Sequence, residues 1–238
     1  MRTLRIAIRM VCCAVATAFA LQVRAPAFAA AAAGGQESSS DARQGRLFSP
    51  TDLGLLESPD RAAWQKPDLI MDALKIAYGD TVADIGAGSG FFTVRLARRV
   101  DQRGEDGLVY AEDIQQPMLE SIKRRVSRER LKNVVTRLGT DTDANLPKGT
   151  LDAVLVVDVY QEVEAADDRV RFLRHLADSL KPNGRIGIVN YKPGDGGPGP
   201  EPQRRLDRTV VEAEVRAAGL RVVDRVTLPF QYMLVVGR

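Results

Sequence analysis

The chain has 238 residues, of which 45% are hydrophobic and 27% are charged, the composition of an ordinary globular protein that can bury a sizeable core. The formal net charge is +3, but residues 1–29 hold four arginines and no acid, which leaves 30 basic against 31 acidic residues elsewhere. The globular part therefore lacks the electrostatic signature of a nucleic-acid-binding protein, and we predict no nucleic-acid partner.

Residues 1–29 have the order of a secretory signal peptide: a basic start, an apolar run over Met10–Leu21 and a small-residue stretch. Twelve apolar residues are too few to span a bilayer comfortably. We predict cleavage near Ala29, with Ala20 as the second choice, and export, in a bacterium to the periplasm. Two alternatives remain open, namely an uncleaved leader that anchors the protein in the membrane and an organelle presequence.

The only two cysteines, Cys12 and Cys13, lie inside this leader. A cleaved protein therefore has no disulfide, no thiolate nucleophile and no zinc–sulfur site. Residues 30–46 are small and polar without apolar periodicity, which predicts a disordered linker. The folded domain is expected over residues 47–238.

Strand and helix patterns alternate along this domain until its last two strands. Such alternation predicts a doubly wound, three-layer α/β fold with a mostly parallel seven-stranded sheet and an antiparallel C-terminal hairpin. The predicted strands are Thr81–Ile85, Leu108–Asp113, Val134–Leu138, Leu151–Val157, Arg185–Asn190, Arg221–Thr227 and Tyr232–Val236. The predicted helices are Arg61–Tyr78, Gly90–Val100, Pro117–Arg130, Asp167–Leu180 and Arg208–Ala218.

The most informative stretch is the end of the first strand, where Asp84 is followed by Gly86, Gly88 and Gly90 at every second position. A strand that turns into a helix through glycines lets a ligand approach the backbone N–H groups. A dinucleotide loop, G-x-G-x-x-G, requires glycine where Phe91 stands, and a P-loop requires a lysine that is missing. A nicotinamide dehydrogenase is therefore disfavoured.

The remaining spacing, acid-x-G-x-G-x-G, resembles motif I of the class I S-adenosylmethionine-dependent methyltransferases. Residues 146–152, Leu-Pro-Lys-Gly-Thr-Leu-Asp, resemble the family's lead into motif IV, and residues 180–185, Leu-Lys-Pro-Asn-Gly-Arg, resemble its post-motif turn. The resemblance covers most of residues 66–238. It implies a Rossmann-like methyltransferase fold, S-adenosylmethionine as the cofactor and a small-molecule methyl acceptor.

The carboxyl ends of the strands are where ligands bind in such folds. Asp113 ends the second strand and is expected to accept hydrogen bonds from ribose hydroxyls, in preference to Glu112, whose side chain should alternate away. By resemblance, Asp141 lies by the adenine and Asp158 near the amino acid moiety. The full predicted cofactor set is Asp84, Gly86, Ala87, Gly88, Gly90, Asp113, Ile114, Thr140, Asp141 and Asp158.

No catalytic residue is identified, and the candidates are Tyr160, Gln161 and Tyr191. With Glu162 and Tyr232 they are expected around the mouth of the pocket, while residues of the first helix, Trp64 and Gln65, are candidates to cover the ligand or simply to pack in the core. The subgroup resembled is a set of exported bacterial methyltransferase-like proteins of unassigned substrate. Its members tend to have a histidine where this chain has Gln161.

The lone histidine, His175, is expected on a solvated helix face, and we predict no metal site. The predicted function is methyl transfer by in-line displacement, for which the protein mainly supplies alignment. The alternative is a catalytically inactive protein that keeps the pocket and binds the cofactor, a metabolite or a partner. The acceptor and the oligomeric state do not follow from the sequence.

Overall fold

The computed structural model describes Ser49 and residues 57–101, 107–194 and 196–238. The predicted signal peptide and linker, residues 1–29 and 30–46, lie outside these residues. Among the residues described, no helix combines the length and the apolar character needed to cross a membrane.

Helices and strands alternate as the sequence pattern predicts. The helices are α1 (Arg61–Gln65), α2 (Pro67–Ala73), α3 (Phe91–Val100), α4 (Gln116–Arg128), α5 (Ala166–Ser179) and α6 (Arg208–Ala217). The strands are β1 (Thr81–Ile85), β2 (Leu108–Asp113), β3 (Val134–Leu138), β4 (Leu151–Val157), β5 (Leu180–Tyr191), β6 (Arg221–Thr227) and β7 (Gln231–Gly237). Short 3-10 turns cover Tyr160–Glu162 and Pro202–Arg204.

The predicted helix Arg61–Tyr78 is wrong, because the structure has two short helices that meet at Lys66. Lys66 adopts the left-handed conformation with φ 55°. The reason is Pro67, whose ring disfavours the α conformation in the residue before it. Asp60, which directly precedes α1, makes no side-chain capping hydrogen bond. The break turns α1 away from the line of α2.

The predicted fifth strand is also too short, since β5 begins at Leu180 instead of Arg185. Leu180 pairs with Leu151, and after a shift in register Arg185 pairs with Ala153. The turn that resembles the family's post-motif sequence thus lies within β5, at the irregularity between these two pairs.

The seven strands form one sheet in the order β3-β2-β1-β4-β5-β7-β6. Strands β1 to β5 pair in parallel, and β7 runs antiparallel to both β5 and β6. The predicted fold class is therefore confirmed. Since β1 lies between β2 and β4, the winding direction reverses beside β1, which is where open α/β sheets bind ligands.

Both faces of the sheet are covered by helices. On one face, α5 and α6 bury side chains such as Leu173 and Val211 against β4 and β5. On the other face, α2 and α3 bury Ile70, Phe92 and Leu96. Burying each such side chain contributes on the order of 1.5–3 kcal/mol. The two buried faces hold the carboxyl ends of β1, β2 and β4 in fixed positions.

Candidate active site

The loop between β1 and α3 has the backbone that its glycines predict. Gly86, Gly88 and Gly90 have φ values of 61°, 53° and 82°, which only glycine adopts at little cost. A Cβ atom on Gly86 would also overlap Cγ2 of Val159. Both the conformation and the space therefore exclude a side chain at Gly86.

Asp84, one residue before the end of β1, anchors this loop to the helix that follows. Its carboxylate is buried and accepts a hydrogen bond of 2.6 Å from Oγ1 of Thr93 in α3. Burial raises the pKa of Asp84 to about 7, although the bond from Thr93 and the charge of Arg61 oppose that shift. Asp84 thus fixes the start of α3, and its carboxyl group lies beneath the glycine loop.

Asp113 joins the end of β2 to the same loop. Its side chain is 6% exposed, and its two oxygens accept hydrogen bonds from the backbone N–H groups of Gly88 (3.0 Å) and Gln115 (2.9 Å). Burial raises the pKa of Asp113, and these N–H groups oppose the shift. The predicted ribose-binding residue therefore lies against the glycine loop.

Glu112 is not turned away from the loop, contrary to the expectation from strand alternation. It points to the other face of β2, but its Oε2 accepts a hydrogen bond of 3.3 Å from the backbone N–H of Gly86. The carboxyl group has room because the neighbouring strand is followed by Gly139, where a Cβ atom would overlap Oε1 of Glu112. Both adjacent acids thus contact the glycine loop.

The loop after β3 brings the predicted adenine-side residues to the same edge of the sheet. Thr140 is exposed in a turn closed by Asp143, whose carbonyl accepts a bond of 2.8 Å from the Thr140 N–H. Asp141 follows it and is half-buried. Ile114, directly after β2, is half-buried as well.

Asp158, directly after β4, is held in a strained backbone conformation with φ 60°. Its Oδ1 accepts a hydrogen bond of 2.6 Å from Nε2 of Gln231, and its Oδ2 accepts one of 3.1 Å from Nε2 of Gln65. The hydroxyl of Tyr191 lies near this carboxyl group and helps to lower its pKa. Burial raises the pKa of Asp158 to about 7, and the charge of Arg61 opposes that shift.

Sequence reasoning missed Arg61. This α1 side chain lies over the ring of Phe91 at 4.2 Å and donates from Nε to Oε1 of Gln65 at 2.6 Å. Burial lowers the pKa of Arg61, and the negative charges of Asp158 and Asp84 oppose that shift. The spacing of Arg61 and Gln65 by four residues was the available signal, because such residues share one helix face.

Tyr191 and Trp64 come together on the side of Asp158. Their ring centroids lie 6.2 Å apart, and Trp64 also contacts the ring of Phe230 with a centroid distance of 6.0 Å. Burial raises the pKa of Tyr191, and the nearby charge of Asp158 adds to that shift. Tyr191, expected at the mouth of the pocket, thus packs in a buried aromatic group beside Asp158.

Tyr160 and Tyr232 do not lie at that mouth. Tyr160 is fully buried, and its hydroxyl donates to Oε2 of Glu214 at 2.8 Å, next to the ion pair between Glu214 and Arg169. The Tyr232 hydroxyl donates to the carbonyl of Leu206 at 3.0 Å. Both hydroxyl groups therefore donate their hydrogen bonds to partners in the core and not to a ligand.

Gln161 and Glu162 share the 3-10 turn with Tyr160, and their polar atoms have different surroundings. Oε1 of Gln161 is buried and has no hydrogen-bond partner among the residues that the structure describes. Glu162 forms an ion pair of 2.5 Å with Arg204. Within residues 57–101, 107–194 and 196–238, no group of three or more His, Cys, Asp or Glu residues is arranged to hold a metal ion.

The fold and the glycine loop together define the class of protein. Residues 82–184 match a family model described as a methyltransferase domain. A solved S-adenosylmethionine-dependent methyltransferase from Aquifex aeolicus is 27% identical, with a TM-score of 0.73, over 80% of this chain and 98% of that one. Residues 82–184 thus match a methyltransferase domain, and the fold is that of a solved S-adenosylmethionine-dependent methyltransferase, in agreement with the class that the motifs predicted.

Curated relatives agree with this assignment. An uncharacterized methyltransferase of Mycobacterium tuberculosis is 36% identical over 123 residues, which is 52% of this chain and 44% of the relative. The demethylmenaquinone methyltransferase of Symbiobacterium thermophilum is 33% identical over 109 residues, 45% of this chain and 41% of the relative. The chain therefore matches less than half the length of these relatives.

The residues present fit the cofactor of this class. S-adenosylmethionine carries a positive sulfonium, an ammonium and one carboxylate. Three acids, Asp84, Asp113 and Asp158, lie around the end of β1, and the guanidinium of Arg61 lies beside them in the described part of the chain. A net acidic site with one cation matches a ligand of net positive charge, and the glycine loop leaves room for close approach.

Proposed function

We propose that the protein transfers the methyl group of S-adenosylmethionine to a small-molecule acceptor. The observation that supports the proposal is the contact of Asp113 with Gly88, because the carboxylate that would bind the ribose lies against a glycine loop where the winding direction of the sheet reverses. The class assignment supports the cofactor, whereas the acceptor and the reaction geometry are inferred from this chain's residues.

Each end of the pocket has groups suited to one part of the cofactor. Asp113 would accept hydrogen bonds from the ribose hydroxyls, with the half-buried Ile114 and Asp141 nearer the adenine. Arg61 would bind the methionine carboxylate, because it is the guanidinium that faces the acids of the loop. Asp84 and Asp158 add negative charge at the methionine end.

When bound, the cofactor would supply a methyl group that is activated by its bond to a positive sulfonium. The acceptor's lone pair would form the new bond to that carbon as the carbon–sulfur bond breaks. The protein's part is to align the acceptor with that bond, which is worth on the order of 7–11 kcal/mol. Acidic residues around the site would also bind the positively charged cofactor more tightly than the product, whose sulfur is a neutral thioether. This difference in affinity helps product release.

The acceptor side is bounded by Tyr191, Trp64 and Phe230, so we infer a small acceptor with an apolar or planar part. Gln161 and Asn190 each have a buried side-chain oxygen that lacks a hydrogen-bond donor among the described residues, so both are candidates for a polar contact with the acceptor. The name of the Symbiobacterium relative does not identify the acceptor, since the match spans 41% of that protein.

Binding and turnover test the proposal together. We expect calorimetry to show binding of S-adenosylhomocysteine, and labelled S-adenosylmethionine to yield methylated product with one member of a small-molecule acceptor panel. Asp113→Ala should abolish both signals. Asp224→Asn, an exposed acid on the outer strand β6, is the matched control and should change neither.

Gln161 favours a second candidate, a binding protein without turnover, because an amide cannot serve as a general base. Any product that depends on Asp113 excludes this candidate. Cofactor binding without product across the panel supports it.

Export is a separate inference, and it rests on the leader-like order of residues 1–29. Sequencing the N-terminus of the mature protein, together with its cell fraction, tests it. An N-terminus near residue 30 in a periplasmic fraction is expected, whereas an intact Met1 in the cytoplasm would contradict it.

A further inference from the structure

Glu112 is a buried acid that has one oxygen without a partner. The side chain is 2% exposed, and Oε2 accepts a hydrogen bond from the N–H of Gly86. Oε1 has no hydrogen-bond partner within the described part of the chain. An unpaired buried oxygen costs about 1–3 kcal/mol, so such a group is retained where something else pairs with it.

The free oxygen lies between the glycine loop and the loop after β3, the two loops that we expect to border the nucleoside. Gly86 belongs to the glycine loop, and a Cβ atom on Gly139, at the end of β3, would overlap Oε1 of Glu112. The Cα atom of Ala144, from the loop after β3, lies 3.2 Å from the same Cβ position. The carboxyl group therefore occupies the gap between the ends of β1 and β3.

Ion pairing does not explain this carboxyl group. Its cross-strand neighbour on β3 is Arg137, but no ion pair joins the two side chains among the described residues. The guanidinium of Arg137 lies instead over the ring of Tyr110, at 5.3 Å, and its Nε also has no described partner. The other charged groups that face Glu112 are acids: Asp113 on its own strand, Asp84 on β1 and Asp143 after β3.

We propose that Glu112 is a second nucleoside-binding residue, whose free oxygen carries a proton and donates it in a hydrogen bond to an acceptor atom of the adenine or ribose. This inference rests on the proposed use of S-adenosylmethionine. A protonated carboxyl supplies a donor, and it complements Asp113, which accepts from ribose hydroxyls. Burial raises the pKa of Glu112 to about 8, and the neighbouring acids add to that shift, so the proton is retained at neutral pH.

The test measures the binding of 5′-methylthioadenosine, which keeps the nucleoside and has no group that titrates between pH 6 and pH 9. Since binding requires the proton, the wild-type affinity should fall about tenfold between pH 7 and pH 9. Glu112→Gln keeps a donor and does not titrate, so its affinity should change little over this range. Glu112→Leu should bind at least about tenfold more weakly at pH 7.

Two controls separate this role from others. Asp143→Asn removes an acid near Glu112 without touching its donor, and it should shift the midpoint of the pH dependence downwards. Arg137→Gln tests an ion pair with Glu112: if it reproduces the pH profile and the affinity loss of the Glu112 variants, the pair explains both and the proposal is overturned. Circular dichroism and thermal unfolding check that each variant is folded.

The proposal also fails if Glu112→Leu binds 5′-methylthioadenosine as tightly as the wild type, or if wild type and Glu112→Gln have the same pH profile. Both results leave the proposed function intact, because wild-type binding of S-adenosylhomocysteine at pH 7 is measured separately. If the wild type binds neither nucleoside, the proposed function and this inference fail together.

Discussion

Asp113 accepts a hydrogen bond of 3.0 Å from the backbone N–H of Gly88, which joins the end of β2 to the glycine loop at the end of β1. The two residues are 25 positions apart in the chain. Their contact fixes the carboxylate that we propose binds the ribose before any ligand is bound. Preorganisation of this kind lowers the entropic cost of binding.

Arg61→Gln should weaken the binding of S-adenosylhomocysteine by about tenfold or more, because a charge-assisted hydrogen bond to the methionine carboxylate is lost. 5′-Methylthioadenosine lacks that carboxylate, so its affinity should change by less than about twofold. Arg95→Gln is the matched control, since Arg95 lies over the same Phe91 ring at 3.7 Å. Calorimetry with both ligands checks the prediction, and equal losses for both ligands would contradict it.

Tyr160→Phe should lower stability by about 1–3 kcal/mol, because it removes a buried hydrogen bond to a charged carboxylate. The affinity for S-adenosylhomocysteine should stay within about twofold of the wild-type value. Glu214→Ala should cost more, on the order of 3–5 kcal/mol, since it leaves the buried Arg169 unpaired. Urea unfolding and calorimetry test both variants. A binding defect in a fully folded Tyr160→Phe protein would contradict the prediction and would indicate that Tyr160 contacts the ligand.

The free energy of unfolding should decrease as the pH rises from about 5 to 8. Asp84 and Asp158 have pKa values raised to about 7, and Glu112 to about 8, so the folded state binds more protons than the unfolded chain in this range. Their stabilising effect is complete below the unfolded pKa values near 4 and is lost as the pH rises through the folded values. Asp158→Asn should flatten the slope in urea unfolding, and a stability that increases towards pH 8 would contradict the prediction.

The glycine loop and most of the strands were predictable because their signals are local. The spacing of Gly86, Gly88 and Gly90 reflects the positive φ that each position needs, and a buried strand such as β4 has a continuous apolar run. Asp113 was predictable for the same reason, as it ends a strand whose register follows from its pattern.

The rest of the site depends on contacts between distant segments. Gln65 and Asp158 are 93 residues apart, and Gln231 and Asp158 are 73 residues apart, so no sequence window contains both partners. Tyr160 follows a buried strand, but only the packing of α6 shows that Glu214 receives its hydroxyl. The helix break at Lys66 differs, because Pro67 was visible and the pre-proline restriction predicts it.

The central claim is that the loop from Gly86 to Gly90 binds S-adenosylmethionine, and two glycine variants test it most directly. Gly86 and Gly149 both have positive φ, 61° and 66°, but a Cβ on Gly149 has nothing within 4 Å. Calorimetry measures the affinity of the wild type, Gly86→Ala and Gly149→Ala for S-adenosylhomocysteine. The comparison separates an effect on the glycine loop from the general effect of backbone strain. We predict binding by the wild type and by Gly149→Ala, and at least about tenfold weaker binding by a folded Gly86→Ala protein. Absence of binding by the wild type, or equal affinities for the two alanine variants, would contradict the account.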